Sequence, residues 1–399
     1  MAPEEKKPSG ALTAEASDEP RGSSESCQIL SPPKRIGVWS ALGTAYSATC
    51  ALIAIFVFLV LTVGSGGTPI FIYSYLVALT FNMAVCVSLA EMASAKPHSA
   101  GQTYWSATFA PPGSATSYSY YTGFFATCTW LLWYISAPLI AAQLILATAQ
   151  IISPDFAAEP WHTYVTFIGV LFVTYIMNIN LFSVLQYVNK ASLMVINLGS
   201  LYIFITLLVR AETKRPSSDV WVNIVNENGW GTGVNVLLSF APALNCVSGF
   251  DSAAHLSEEM QQPHRDVPIV MVGSASLSGI AAFIMIMAFS YCTTNAENLL
   301  NAIGGQPGIQ LMMDTLRSFP LTLIGSLIFV LVLANAGTCL MTVNSRMMWG
   351  PRWHGRMDCP PHGSLEGLDL DCCFLEMQHL FRSSLLLGWV LYSLAQLWW

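Results

Sequence analysis

The sequence predicts an all-α protein that crosses a membrane many times. Three observations carry this. The 399 residues are 54% hydrophobic and only 10% charged, where a soluble domain carries about 25% charged residues. Mean hydropathy is +0.53. No Lys, Arg, Asp or Glu occurs from Ile36 through Ala90, or from Pro97 through Pro154. Apolar stretches of roughly 20 residues that recur along a chain are transmembrane helices.

Residues 1–35 are rich in Glu, Ser, Pro and Lys and lack an apolar run, as expected of a disordered cytosolic tail. With no cleavable signal sequence, the first membrane helix is expected to direct insertion. Residues 36–349 form the predicted transmembrane core. It holds eight spans: Val38–Val63, Ile70–Ala95, Tyr118–Ile152, Tyr164–Asn180, Val188–Val209, Val234–Ser257, Val267–Cys292 and Pro320–Met348. Residues 350–399 change character. Their last 16 residues, Ser384–Trp399, are apolar but short for a span, so a ninth helix stays open.

Basic residues set orientation. With the N-terminus in the cytosol, Lys34, Arg35, Lys96, Lys190, Arg265, Arg346, Arg352 and Arg356 lie inside, and Arg210, Lys214, Arg215 and Arg317 outside. The majority favours an inside N-terminus, with the Arg210–Arg215 cluster as the exception. The net charge of -7 is spread over tails and loops, and nothing basic enough for nucleic acid is present. Most of the ten cysteines lie inside apolar runs, where they read as small packing residues.

One stretch breaks the apolar pattern. NCVSGFDSAAHLSEE, Asn245–Glu259, puts Gly249, Asp251 and His255 inside the sixth span. A charge at bilayer depth is costly and faces a cavity or a partner. Gly249 lowers helix propensity by about 1 kcal/mol relative to Ala. Ser248 and Asp251 can compete for local backbone groups, and Pro242 removes one helical hydrogen bond. Val247–Asp251 is therefore a candidate helix break. In secondary transporters such breaks expose backbone donors and acceptors to substrate. The alternative is a plain helix end, with Asp251 capping it near the headgroups.

Five blocks belong together: GFDSAAHLSEEMQQPHRDVP from Gly249 to Pro268, SLAEMASAKPHSAGQTYW from Ser88 to Trp105, GSGGTP from Gly64 to Pro69, PDFAAEPWHT from Pro154 to Thr163, and SRMMW from Ser345 to Trp349. They resemble the amino acid–polyamine–organocation transporters, and among them the fungal permeases for amino acids, GABA and choline. The resemblance implies two inverted repeats of five helices, with the first and sixth helices broken around substrate. It places substrate at Ser47, Ala48, Thr49 and Cys50 of the first helix and at Val247, Ser248, Gly249 and Phe250 of the sixth. It assigns proton coupling to Asp251, since a buried carboxylic acid can load and release a proton.

Three departures stand out. The first helix reads YSATCALIA, with Ala54 where the family has Gly. The second-helix Gly pair is Ala100 and Gly101. After Trp349 the family's Ala-x-Ala-Arg-Asp-Gly type loop and later helices are replaced by GPRWHGRM. That change reads as a frameshift, a retained intron or altered splicing, and leaves the second repeat incomplete.

Other residues have two readings each. Trp130–Tyr134, WLLWY, is a packing cluster or a cation–π surface for a quaternary ammonium. Glu91 and Glu258 are gates or structural anchors, with Glu91 expected to bond to the Gly101 loop or a helix end. His354, Cys359, His362, Cys372 and Cys373 fit no common zinc spacing. No catalytic motif appears, so neither an enzyme nor a cofactor is expected. The expected function is secondary active transport of a small nitrogen-containing solute (amino acid, GABA or choline), coupled to protons. The alternative is a truncated, non-transporting membrane protein acting as sensor or interaction partner. The plasma membrane is the expected location and the vacuolar membrane the alternative.

Overall fold

The computed structural model describes residues 36–49, 51–226, 229–293, 295–300 and 302–354. Cys50, the 1–35 tail and residues 355–399, with Arg356, Cys359, His362, Cys372, Cys373 and the Ser384–Trp399 run, lie outside the described residues.

The described chain is helical, apart from short turns and one two-residue β ribbon. In order the helices are α1 (Val38–Thr49), α2 (Ala51–Gly64), α3 (Gly67–Ala95), α4 (Gln102–Phe109), α5 (Ala115–Ile152), α6 (Pro160–Ile179), α7 (Phe182–Arg210), α8 (Ser217–Trp221), α9 (Thr232–Asn245), α10 (Ser252–His255), α11 (Pro263–Cys292), α12 (Ala296–Leu300), α13 (Pro307–Leu316) and α14 (Phe319–His354). The ribbon pairs β1 (Ser65–Gly66) with β2 (Val225–Asn226), antiparallel. It ties the turn after α2 to the segment before α9.

Seven stretches among the described residues are long and apolar enough to span a bilayer: Val38–Phe58, Gly67–Ala95, Ala115–Ile152, Pro160–Ile179, Ser183–Arg210, Pro263–Cys292 and Phe319–Met347. They match seven of the eight spans expected from sequence. The remaining one, Val234–Ser257, is not a single helix. Four shorter helices (α4, α8, α12 and α13) were not anticipated. Their apolar runs are too short to stand out from loops.

Local chemistry sets several boundaries. Pro160 opens α6, and Glu159 and His162 close a reciprocal capping box there, which satisfies two orphan donors. Pro263 opens α11, where its missing N–H costs nothing. Arg317 ends α13 in the left-handed region, φ 45°.

Helices meet through small residues, as in membrane bundles. A Cβ on Gly43 of α1 would lie 2.0 Å from the Asn189 carbonyl oxygen of α7. A Cβ on Gly279 of α11 would lie 2.6 Å from a Leu79 methyl of α3. Tyr75, Trp105, Tyr134, Phe167 and Phe289 are fully buried, whereas Phe81, Phe125, Tyr187 and Leu198 face outward. Outward apolar side chains are expected where lipid is the solvent.

Candidate functional site

The helix entered at Thr232 stops at Asn245 and restarts at Ser252. Gly249, at φ 104°, is the pivot; glycine enters that region without a Cβ penalty. The opened backbone groups find partners. The Leu244 carbonyl accepts from the amides of Val247 (3.1 Å) and Ser248 (3.0 Å) and from Ser248 Oγ (2.7 Å). Asn82 Nδ2 of α3 donates to the Val247 carbonyl at 2.7 Å. The Gly249 carbonyl accepts from Ser252 N at 3.2 Å and Ser252 Oγ at 2.6 Å. Among the described residues, the amides of Gly249 and Phe250 have no backbone partner.

The pivot meets two other segments. A Cβ on Gly249 would lie 3.0 Å from the Trp133 ring of α5 and 3.4 Å from Thr49 Cα of α1. So Thr49, Gly249 and Trp133 come together. Val247 and Phe250 are buried, and Ser248 is half-buried. Phe250 packs into an apolar cluster with Ile36, Ala41, Ala45, Leu256 and Met260.

Ser47, Ala48 and Thr49 are all buried on α1. Ser47 Oγ lies 2.9 Å from Ser192 Oγ and accepts from Asn335 Nδ2 at 3.1 Å. Thr49 Oγ1 donates to the Ala45 carbonyl at 2.9 Å, a helical i−4 bond. Helix lies on both sides of Cys50, and Val38–Phe58 counts as one apolar stretch. The opening expected around Ser47–Cys50 is not visible among the described residues.

Asp251 precedes α10 but its side chain caps nothing there. The carboxylate turns inward instead. It accepts from Gln102 Nε2 at 3.1 Å. Trp130 packs edge-on against His255, ring centroids 5.6 Å apart. His255 Nδ1 lies 2.6 Å from the Ser99 carbonyl. Glu258 accepts from Ser99 Oγ (2.5 Å) and Ser99 N (3.3 Å). The turn before α4 is thus clasped to the half-helix after the break.

The end of that half-helix is anchored too. Arg346 Nε of α14 pairs with Glu259 at 2.5 Å, both side chains largely buried. Ile36 N donates to the Glu259 carbonyl at 3.1 Å.

Glu91 stands apart. It is exposed on α3 and makes no described bond to the Gly101 turn; Glu258 and His255 hold that turn. Gln102, Asn82, Ser99 and the Glu259–Arg346 pair escaped sequence reasoning. Asn82, a lone amide in the apolar run 70–90, was the visible signal.

Comparison with known proteins agrees with this architecture. Residues 36–351 match the Amino acid permease family. The chain belongs to that family. Relatives of this permease include a candidate amino acid/polyamine transporter of Macrophomina phaseolina, 28% identical over 77% of the chain and 68% of the relative. Another is a choline transporter of Saccharomyces cerevisiae, 26% identical over 69% of the chain and 49% of the relative. The chain spans about half the length of most curated relatives it matches. In structure the permease is similar to a nucleobase-cation-symport-1 family transporter in a closed conformation with bromovinylhydantoin bound (TM-score 0.53, 14% identity, 93% of this chain, 75% of that one). It is similar as well to a Na+-coupled sialic acid symporter in a substrate-bound outward-open state (TM-score 0.54, 14% identity, 90% and 74%). The fold is that of these transporters.

Proposed function

We propose that this permease carries a small nitrogen-containing solute, an amino acid or an amine such as GABA or choline, across its membrane by alternating access coupled to protons. One observation carries the reading: the sixth transmembrane segment opens at Gly249, against Thr49 and Trp133. Backbone groups freed within lipid persist only where protein or a cavity satisfies them. A solute carboxylate would meet the amides of Gly249 and Phe250. An ammonium would meet the carboxylate of Asp251, the carbonyls at the end of α9, or the Trp133 ring, where cation–π attraction contributes about 0.5–2 kcal/mol.

Asp251 is the proposed proton carrier. Its carboxylate is held by Gln102 beside the break, where a coupling acid would act. Glu259–Arg346 and the Glu258–Ser99 clasp then close the inner end, with the N-terminus in the cytosol. The membrane proposed for this permease is the plasma membrane, with the vacuolar membrane as the alternative.

The test is uptake of labelled amino acids, GABA and choline by cells lacking their own carriers and expressing the chain. Accumulation of at least one solute is expected, driven by a proton gradient and lost in Asp251→Asn. No uptake of any, or uptake indifferent to the gradient and to Asp251→Asn, defeats the reading.

A further inference from the structure

One histidine of the turn between α3 and α4 is built into the backbone. His98 is 8% exposed, and its ring stacks on Tyr104 with centroids 4.2 Å apart and planes at 8°. Its Nδ1 accepts from the Ala100 amide at 2.9 Å. Nδ1 is therefore bare, and the neutral ring carries its hydrogen on Nε2. Asn and Asp make the same bond to the amide two residues on. Here a side chain makes it whose charge changes between about pH 5 and pH 8.

The half-helix after the break rests on this turn. The His98 carbonyl accepts from Gly101 N at 2.9 Å. Gly101, at φ 51°, comes so near α10 that a Cβ on it would lie 3.2 Å from the His255 ring. On one side of Ala100, Ser99 meets His255 and Glu258. On the other, Gln102 Nε2 donates to Asp251. The amide that His98 takes lies between these contacts.

We propose that His98 is a positioning residue operated by pH: neutral, it fixes the turn that holds Gln102 against Asp251; protonated, it releases that turn. The inference rests on the proton-coupled reading above, in which Asp251 is the carrier. A proton arriving on Nδ1 makes both ring nitrogens donors, with no lone pair left for Ala100. Two N–H groups then face each other, and the turn loses its clip. In a carrier that brings protons inward, this is feedback from its own product.

The other ionisable groups on the adjoining elements are engaged or exposed. Glu91 and Lys96 of α3 are exposed, as are Tyr118, Tyr120 and Tyr121 of α5. Glu259 pairs with Arg346. On α11, His264 faces the Ser94 carbonyl, Asp266 accepts from the Gln262 amide and Arg265 is exposed.

The test is hydrogen–deuterium exchange of the full chain in lipid nanodiscs, read by mass spectrometry from about pH 8 to about pH 5 and corrected for the intrinsic effect of pH. In the parent chain, protection of residues 97–105 should fall about three- to tenfold on acidification, and residues 249–256 should follow. His98→Asn, whose carbonyl can accept from Ala100 at any pH, should stay protected throughout. His98→Phe, which keeps the stack and has no acceptor, should show the low protection at both ends. A parent chain indifferent to pH, or an asparagine variant that titrates like it, overturns the proposal. So does a turn that opens while residues 249–256 stay closed. If His98→Asn does not fold, the phenylalanine variant decides: a pH response equal to the parent's assigns it to another group. Exchange needs no transport, so failed uptake with the expected pattern would count against the carrier reading alone.

Discussion

α5 and α9 each carry a proline inside an apolar run, and only α9 opens. α5 runs unbroken for 38 residues through Pro138. α9 ends three residues past Pro242. The difference lies in what surrounds each proline. The Pro138 ring rests on α14 at Gly337, where a Cβ would sit 3.4 Å away. No residue of positive φ follows it in α5. After Pro242 comes Gly249 at φ 104°, with Asn82 and Ser252 ready to take the freed carbonyls. A missing hydrogen bond bends a helix; a left-handed residue with partners in place breaks one.

The largest expected effect tests whether the broken segment depends on its far anchor. Arg346→Met leaves Glu259 buried and unpaired, and removing one partner of a buried pair costs about 3–5 kcal/mol. The Arg317–Glu212 pair is also an arginine–glutamate contact, through Nη1 rather than Nε, but is 67% and 69% exposed; Arg317→Met should cost no more than about 1 kcal/mol. Thermal unfolding of both variants in one detergent makes the comparison. Equal losses would mean that the anchor is not special.

Next in size is Gly249→Ala. The alanine would sit at φ 104° with its Cβ 3.0 Å from the Trp133 ring. Strain of this kind costs about 1–3 kcal/mol, and a shifted Trp133 should weaken solute binding as well. Gly233→Ala, in open space within α9, is the control and should be neutral or slightly stabilising. A Gly249→Ala protein as stable as that control would show that the pivot can be reached without glycine.

This pair of helices also shows what the sequence could carry. The break was legible because its signals are local: a glycine, a proline and an acid in an otherwise apolar run. Spans were legible because lipid demands long apolar stretches. The first helix was harder. The resemblance implied an opening there, with the hydroxyls of Ser47 and Thr49 available to a ligand, but among the described residues they bond to Ser192 and to the helix's own Ala45 carbonyl. The partner of Ser47 lies 145 residues away in sequence. The same holds for Gln102, which approaches Asp251 across 149 residues, and for Arg346, which meets Glu259 across 87. Glu91 had the right chemistry for an anchor, yet its helix turns it outward. Single-chain patterns fix which face of a helix is apolar, not which polar group will stand opposite it.

A smaller effect probes the partners of the break. Asn82→Leu leaves the Val247 carbonyl without its donor, and an unsatisfied buried acceptor costs about 1–3 kcal/mol. Asn82→Ser should recover only part of this, since its hydroxyl is too short to span the gap. Unfolding midpoints of the two variants, with Gly249→Ala combined into each, would show whether pivot and partner act together. Additive losses would mean that they do not.

The smallest effect is the sharpest test of the comparison. If Pro242 were the cause of the break, Pro242→Ala would restore the ladder and carry α9 through Gly249. Gly249, at φ 104°, holds the break open without it. An alanine at 242 gains one amide able to bond the carbonyl four residues back, inside a turn that is already helical. The stability change should stay within about 1 kcal/mol. The amides of Gly249 and Phe250 should keep exchanging with solvent hydrogen as fast as in the parent chain, because nothing at 242 supplies them with acceptors. Slowed exchange at those two amides in Pro242→Ala would move the cause of the break from the glycine to the proline. α5 and α9 would then differ only in how firmly a neighbouring helix props each proline.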